Sequence, residues 1–113
     1  MSQHRRHRGY RTQKVVAEYL QANRWPFAES TGAGRSGSDI TGTPGLAFEI
    51  KARTDLSPLA WIKQAEQNAG LPIVAFRCNG QGENAGDYLT MLRLADLVEL
   101  LHEAGYGDPD PWT

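Results

Sequence analysis

Asp39, Glu49 and Lys51 are the residues of this 113-residue chain whose types and spacing could do chemistry together. In an extended segment alternate side chains face the same way, so Glu49 and Lys51 share one face while Phe48 and Ile50 share the other. Phe48 and Ile50 suit a core, which predicts that Glu49 and Lys51 point outward together. Gly42-Thr43-Pro44-Gly45 is a turn signal. With Thr43, Pro44 and Gly45 at its tip, the preceding strand folds back and sets Asp39 directly opposite Glu49, on the same face. A slip of one residue would set Asp39 against Phe48 or Ile50 on the core face.

In the favoured register two carboxylates and one ammonium meet on rigid strands. Converging carboxylates are a common protein contribution to a Mg²⁺ site, with water and substrate phosphate completing the octahedron. Such a metal would polarise a phosphodiester and acidify an attacking water. Lys51 could orient that water or balance charge in the transition state. The blander reading is a solvated hairpin face with a Glu/Lys pair that contributes little.

The elements that must position these residues are legible in outline. Val15, Val16, Tyr19 and Leu20 predict a helix over 12–23, ended by Trp25-Pro26. A short strand over 26–30 precedes a small-residue loop, 31–38. Strands over 38–41 and 46–52 flank the turn. Pro58 opens a helix that Ser57 can cap and that runs to about residue 69, before Gly70. An apolar strand over 71–77, a glycine-rich loop over 79–86 and a strand over 88–92 follow. Leu94, Leu97, Val98 and Leu101 mark a last amphipathic helix. The order α-β-β-β-α-β-β-α is an α/β fold, a mixed sheet with helices packed on it. It divides into a basic N-terminal arm over 1–11, one domain over 12–104 and a tail over 105–113.

Composition sets the class. Hydrophobic residues make up 40% and charged residues 22%, a balance that favours a folded chain over a disordered one. No run approaches the roughly 20 apolar residues of a membrane helix, and no apolar stretch follows the basic start as in a secretory signal. A single cysteine, Cys78, forms no internal disulfide and fits a reducing cytoplasm. The net charge of −1 conceals an asymmetry. Residues 1–17 carry Arg5, Arg6, Arg8, Arg11 and Lys14, with His4 and His7, and no acid. From Glu83 onward seven acids face Arg93 alone. That pattern suggests a basic arm for a polyanion, the alternative being a plain solubilising tail.

The segments Gly34-Arg35-Ser36-Gly37-Ser38-Asp39-Ile40 and Phe48-Glu49-Ile50-Lys51-Ala52, followed by a helix and an apolar strand, resemble the PD-(D/E)xK nuclease superfamily. Within it they are similar to the archaeal-type Holliday junction resolvases and their phage relatives, over roughly residues 12–101. The resemblance implies a restriction-endonuclease-like mixed central sheet flanked by helices. It implies a Mg²⁺-dependent endodeoxyribonuclease, with Mn²⁺ as an alternative, acting on branched DNA as a homodimer. Asp39 and Glu49 would be metal ligands, the main-chain carbonyl of Ile50 a further contact, and Lys51 the catalytic lysine. The basic arm and Lys14 would contact the DNA backbone; Arg35 and Ser36, in the loop beside Asp39, could grip a DNA phosphate, the alternative being a plain linker. Two departures stand out. Ser38 replaces the proline that often precedes the aspartate, and the first-helix glutamate of many members has Gln13 as its nearest counterpart. Gln13 flanks the Val16/Leu20 face, whereas Glu18 points more toward solvent.

Other residues weigh less. Gln64 stands where some members place a polar helper, although a plain surface position is the favoured reading. His4, His7 and His102 form no metal-ligand set, and Cys78 reads as a small buried or half-buried residue. The glycines at 32, 34 and 37 lack the Gly-Lys-Ser/Thr step of a phosphate-binding loop. Two rival functions remain: a catalytically silent nucleic-acid-binding protein of the same fold, and a nuclease of this fold with another DNA target.

Overall fold

A computed structural model describes residues 3–32 and 37–108, with side chains from Gly9 onward. Helix α1 spans Gln3–Ala22, nine residues further toward the N-terminus than the apolar spacing predicts. The physical reason is composition: 3–11 has no proline, and Gln and Arg are good helix formers. Gly9 costs only about 1 kcal/mol relative to alanine. The basic arm is thus continuous with the helix rather than a separate segment. At its other end the Trp25 N–H donates to the Leu20 carbonyl at 3.0 Å, and Arg24 lies between them at φ 91°. This is a Schellman-type stop built on a left-handed arginine, so the helix ends by its own hydrogen bonding before Pro26 acts.

Strands β1 (Glu29–Ser30) and β2 (Ile40–Thr41) are each two residues long and pair antiparallel, Glu29 with Thr41 and Ser30 with Ile40. The expected ladder between 38–41 and 46–52 is therefore corrected: β2 takes β1 as its partner. Gly42 is the cause. At φ 76°, a Cβ there would lie 1.9 Å from the Phe27 carbonyl oxygen, so only glycine lets these two backbones touch.

Strand β3 (Leu46–Ala52), helix α2 (Pro58–Ala65) and strand β4 (Leu71–Arg77) form a β-α-β unit in which β3 and β4 run parallel from Leu46 opposite Leu71 to Ala52 opposite Arg77. Pro58 sits in the first turn of α2 as expected, but Ser57 makes no side-chain cap. The helix ends at Ala65 and turns over 66–70 lead into β4. Strand β5 (Leu89–Met91) joins β4 antiparallel, giving a three-stranded mixed sheet in the order β3-β4-β5. Helix α3 (Leu94–Glu103) follows. The chain is an α/β fold with three helices and two small sheets, where one larger sheet was expected.

The core has two layers. Val16, Ala17 and Leu20 of α1 pack with Ile40, Phe48, Ile50 and Ala75 on one side of the sheet. Trp61, Ile62 and Ala65 of α2 pack with Val74 and Phe76 on the other. Both faces of β3 and β4 are thus covered, the usual condition of a parallel pair with a helical crossover. Helix α3 has no buried residue; Leu94, Leu97, Val98, Leu100 and Leu101 are exposed.

Candidate active site

The edge of β3 that does not pair with β4 is where the predicted residues converge. A strand residue sends its N–H and C=O to the same edge, and neighbours alternate. The Asp39 N–H donates to the Phe48 carbonyl at 3.0 Å, and the Ile50 N–H donates to Asp39 Oδ2 at 2.7 Å. Asp39 therefore sits level with Glu49, bridging the positions on either side of it. The expected juxtaposition of Asp39 and Glu49 is present, held by one backbone bond and one carboxylate bond in place of a hairpin ladder. Because the Ile50 N–H faces Asp39, the Ile50 carbonyl is turned to that same open edge.

Glu49 and Lys51 do share a face, but that face does not point to solvent. It lies under α2, and Glu49 is only 4% exposed. The expectation of an outward pair is corrected for a simple reason: the crossover helix between two parallel strands must cover one side of them. Lys51 Nζ lies 3.5 Å from Glu49 Oε2, donates to Gln64 Oε1 at 2.8 Å, and stands 5.9 Å from the centre of the Trp61 ring. Gln64 is therefore a direct partner of the lysine, although its own side of α2 is exposed. The favoured surface reading of Gln64 missed this, because its helical position alone cannot show which strand residue reaches it.

Burial dominates the electrostatics. It pushes the Asp39 carboxyl above its ordinary range, against the opposing effects of the Ile50 N–H, the Glu49 hydrogen bond and Lys51. Glu49 is raised to about 7, first by burial and next by the Asp39 charge, with Lys51 acting the other way. The two carboxyls hydrogen-bond one another. Two neighbouring acids, both raised by burial, are a site that a divalent cation would relieve. Asp39, Glu49 and the Ile50 carbonyl form an all-oxygen donor set suited to Mg²⁺ or Mn²⁺. Among the described residues no cluster of three or more His, Cys, Asp or Glu side chains is present, so such a site would rely on backbone and water oxygens.

Gln13 is buried on α1, one turn before Val16 and Ala17, and its Oε1 has no hydrogen-bond partner among the described residues. Glu18 is exposed, in line with its expected position. Arg11 forms an ion pair with Glu83, joining α1 to the loop after β4. Lys14 is exposed. The side chains of Arg5, Arg6 and Arg8, and all of Arg35 and Ser36, lie outside the described residues. Cys78 is half-buried. No described helix is long and apolar enough to cross a membrane.

Comparison with family models, with curated proteins and with solved structures finds no match to this chain.

Proposed function

We propose that this chain is a divalent-metal-dependent DNA endonuclease of the PD-(D/E)xK kind, hydrolysing phosphodiester bonds at four-way (Holliday) junctions. The observation that carries this reading is the Asp39–Glu49 pair, two acids from different segments driven together at a strand edge with Lys51 beside them. When bound there, a divalent cation supplies polarisation of the scissile phosphate and a lowered pKa for the attacking water. Asp39 and Glu49 would hold that cation through their carboxylate oxygens, and the Ile50 carbonyl would add a neutral donor. Lys51, fixed by Gln64, presents its ammonium where negative charge grows on the phosphoryl oxygens. The basic residues of α1 supply backbone attraction that weakens with salt.

A symmetric junction calls for a two-fold dimer, and α3 offers the surface for a second copy. Leu94, Leu97, Val98 and Leu101 repeat at helical spacing and, with Leu100, expose on the order of 400 Å² of apolar surface, the size of the largest patch on a typical monomer, which is often functional. A standard interface buries about 800 Å² per partner, slightly more than half of it apolar. The α3 face matches that need.

The test is cleavage of a labelled four-way junction beside a linear duplex of the same arms, with Mg²⁺ and with EDTA. Symmetric, metal-dependent cuts in the junction alone, reduced at least a hundred- to a thousandfold in Asp39→Asn, are the expected result. Cutting of both substrates keeps the nuclease and discards the junction. Binding with no cutting in either Mg²⁺ or Mn²⁺ supports the second reading, a silent nucleic-acid-binding protein. The neutral Gln13, where the resemblance implies a glutamate, favours that reading.

A further inference from the structure

Beyond the acidic pair, the C-terminal ends of β3 and β4 enclose a second feature. Ala52 and Arg77 are register partners, so the two strands leave the sheet side by side at their carboxyl ends. A small pocket of about 80 Å³ opens there, lined by Ala52, Arg53, Thr54, Arg77, Cys78, Asn79 and Gly80. Two of these residues are arginines and none is an acid. Neither Arg53 nor Arg77 forms an ion pair among the described residues, whereas Arg11, Lys51 and Arg93 do. Both are half-buried.

The pocket is also pre-organised. Arg77 Nε donates to the Gln81 carbonyl at 2.8 Å and its Nη2 donates to the same oxygen. This anchors the guanidinium and leaves three of its five N–H donors unused. The Cys78 N–H donates to Gln81 Oε1 at 2.7 Å, and the Gln81 N–H to the Cys78 carbonyl at 3.1 Å, so the loop wall is tied at both ends. Thr54 and Asn79 add neutral donors. Two arginines without an acidic partner among the described residues, lining one small hollow, fit a tetrahedral oxyanion, whose oxygens their forked donors match.

We propose that the Arg53–Arg77 pocket is a phosphate-binding subsite that receives the backbone phosphate next to the one held at Asp39, Glu49 and Lys51. The DNA source of that phosphate rests on the nuclease reading above. Arg53 is the first residue beyond the end of β3 at Ala52 and follows Lys51 by two residues, at most about 7 Å further along the chain. A strand of nucleic acid passing the edge of β3 that β4 leaves unpaired would meet the acidic pair and, beyond the end of the strand, the arginine pocket.

The test has two arms. In the first, the isotope-labelled full chain is titrated with millimolar inorganic phosphate, with chloride at matched ionic strength as the control. The Gly80 amide and the Arg53 and Arg77 Nε–H signals shift in wild type, and the shifts are lost in Arg53→Gln with the melting temperature unchanged. In the second, DNA affinity is measured against salt for Asp39→Asn with and without Arg53→Gln. The added substitution weakens binding about tenfold at low salt and lowers the log–log salt slope by about one. Absent phosphate shifts together with an unchanged slope overturn the subsite, whatever the cleavage assay shows. Phosphate shifts with an unchanged slope overturn its use by DNA. Phosphate shifts in a protein that neither cuts nor binds DNA uphold the pocket as a free-phosphate site and remove the nuclease reading instead.

Discussion

Lys51 and Gln64, thirteen residues apart in sequence, are joined by a 2.8 Å hydrogen bond from Nζ to Oε1 that fixes the ammonium between the sheet and α2. The same Nζ is 3.5 Å from Glu49. Under the proposed function Gln64 is a positioning residue: it sets where the charge stands without touching the phosphate. Gln64→Ala should lower kcat about tenfold to a hundredfold with KM little changed, because one orienting bond is lost. Gln64→Glu should keep the orientation but neutralise the field, and lose more. Steady-state cleavage kinetics check this, and an unchanged kcat in Gln64→Ala would remove the role.

Glu49 gives the protein a pH signature in the absence of metal. Its folded pKa, about 7, lies above its ordinary value of 4.5, so the proton-bound form is the one that suits the fold. The stabilisation is complete below about pH 4.5 and is lost as pH rises through about 7. With allowance for screening, the loss is on the order of 2 kcal/mol. Metal-free protein should therefore melt several degrees lower at pH 8 than at pH 5.5 in thermal denaturation with EDTA. Millimolar Mg²⁺ should restore the melting temperature at pH 8 in wild type and not in Asp39→Asn. A flat profile would show that the pair does not carry the proton.

Gly42 is the position where a single methyl group does the most damage. The added Cβ would lie 1.9 Å from the Phe27 carbonyl oxygen and 2.5 Å from its carbon, at a φ that L residues avoid. Gly42→Ala should destabilise by about 3 kcal/mol or more, since backbone cannot step aside as a side chain can. Chemical denaturation measures it. Gly80→Ala, with no atom within 4 Å of its added Cβ, carries only the φ penalty of about 1–2 kcal/mol and serves as the comparison.

The apolar face of α3 predicts association. Leu97→Glu with Leu101→Glu should convert a two-fold dimer to a monomer in sedimentation equilibrium, while the isolated fold keeps its circular dichroism, because neither side chain is buried in one copy. A wild-type chain that sediments as a monomer at high micromolar concentration would remove the dimer. Cleavage of a junction would then have to be asymmetric.

Much of this architecture is legible without coordinates. The spans of β3 and β4 follow from their apolar runs and their bounding turn residues, and the helical spacing of Leu94, Leu97, Val98 and Leu101 matches α3. The shared face of Glu49 and Lys51 follows from strand alternation alone. The extension of α1 to Gln3 escaped the periodicity because residues 3–11 carry helix-compatible polar side chains with no apolar stripe. The partner of β2 escaped it as well. A turn signal states that the chain reverses, and says nothing of the Phe27 backbone that packs against Gly42.

The sequence by itself determined which side chains lie on which face of each strand, since that alternation is a property of the extended backbone. It favoured, of two registers one residue apart, the one that sets Asp39 level with Glu49, and the bonds of Asp39 to Phe48 and Ile50 decided between them. Only the tertiary structure decided that the common face of Asp39 and Glu49 is buried, because that depends on where the crossover helix settles. The same packing brought Gln64 to Lys51. The parallel register of Ala52 with Arg77 brought two arginines to one pocket from positions more than twenty residues apart. Acidity follows the surroundings: a carboxyl titrates according to the dielectric and charges around it, and those come from distant segments that only folding brings near.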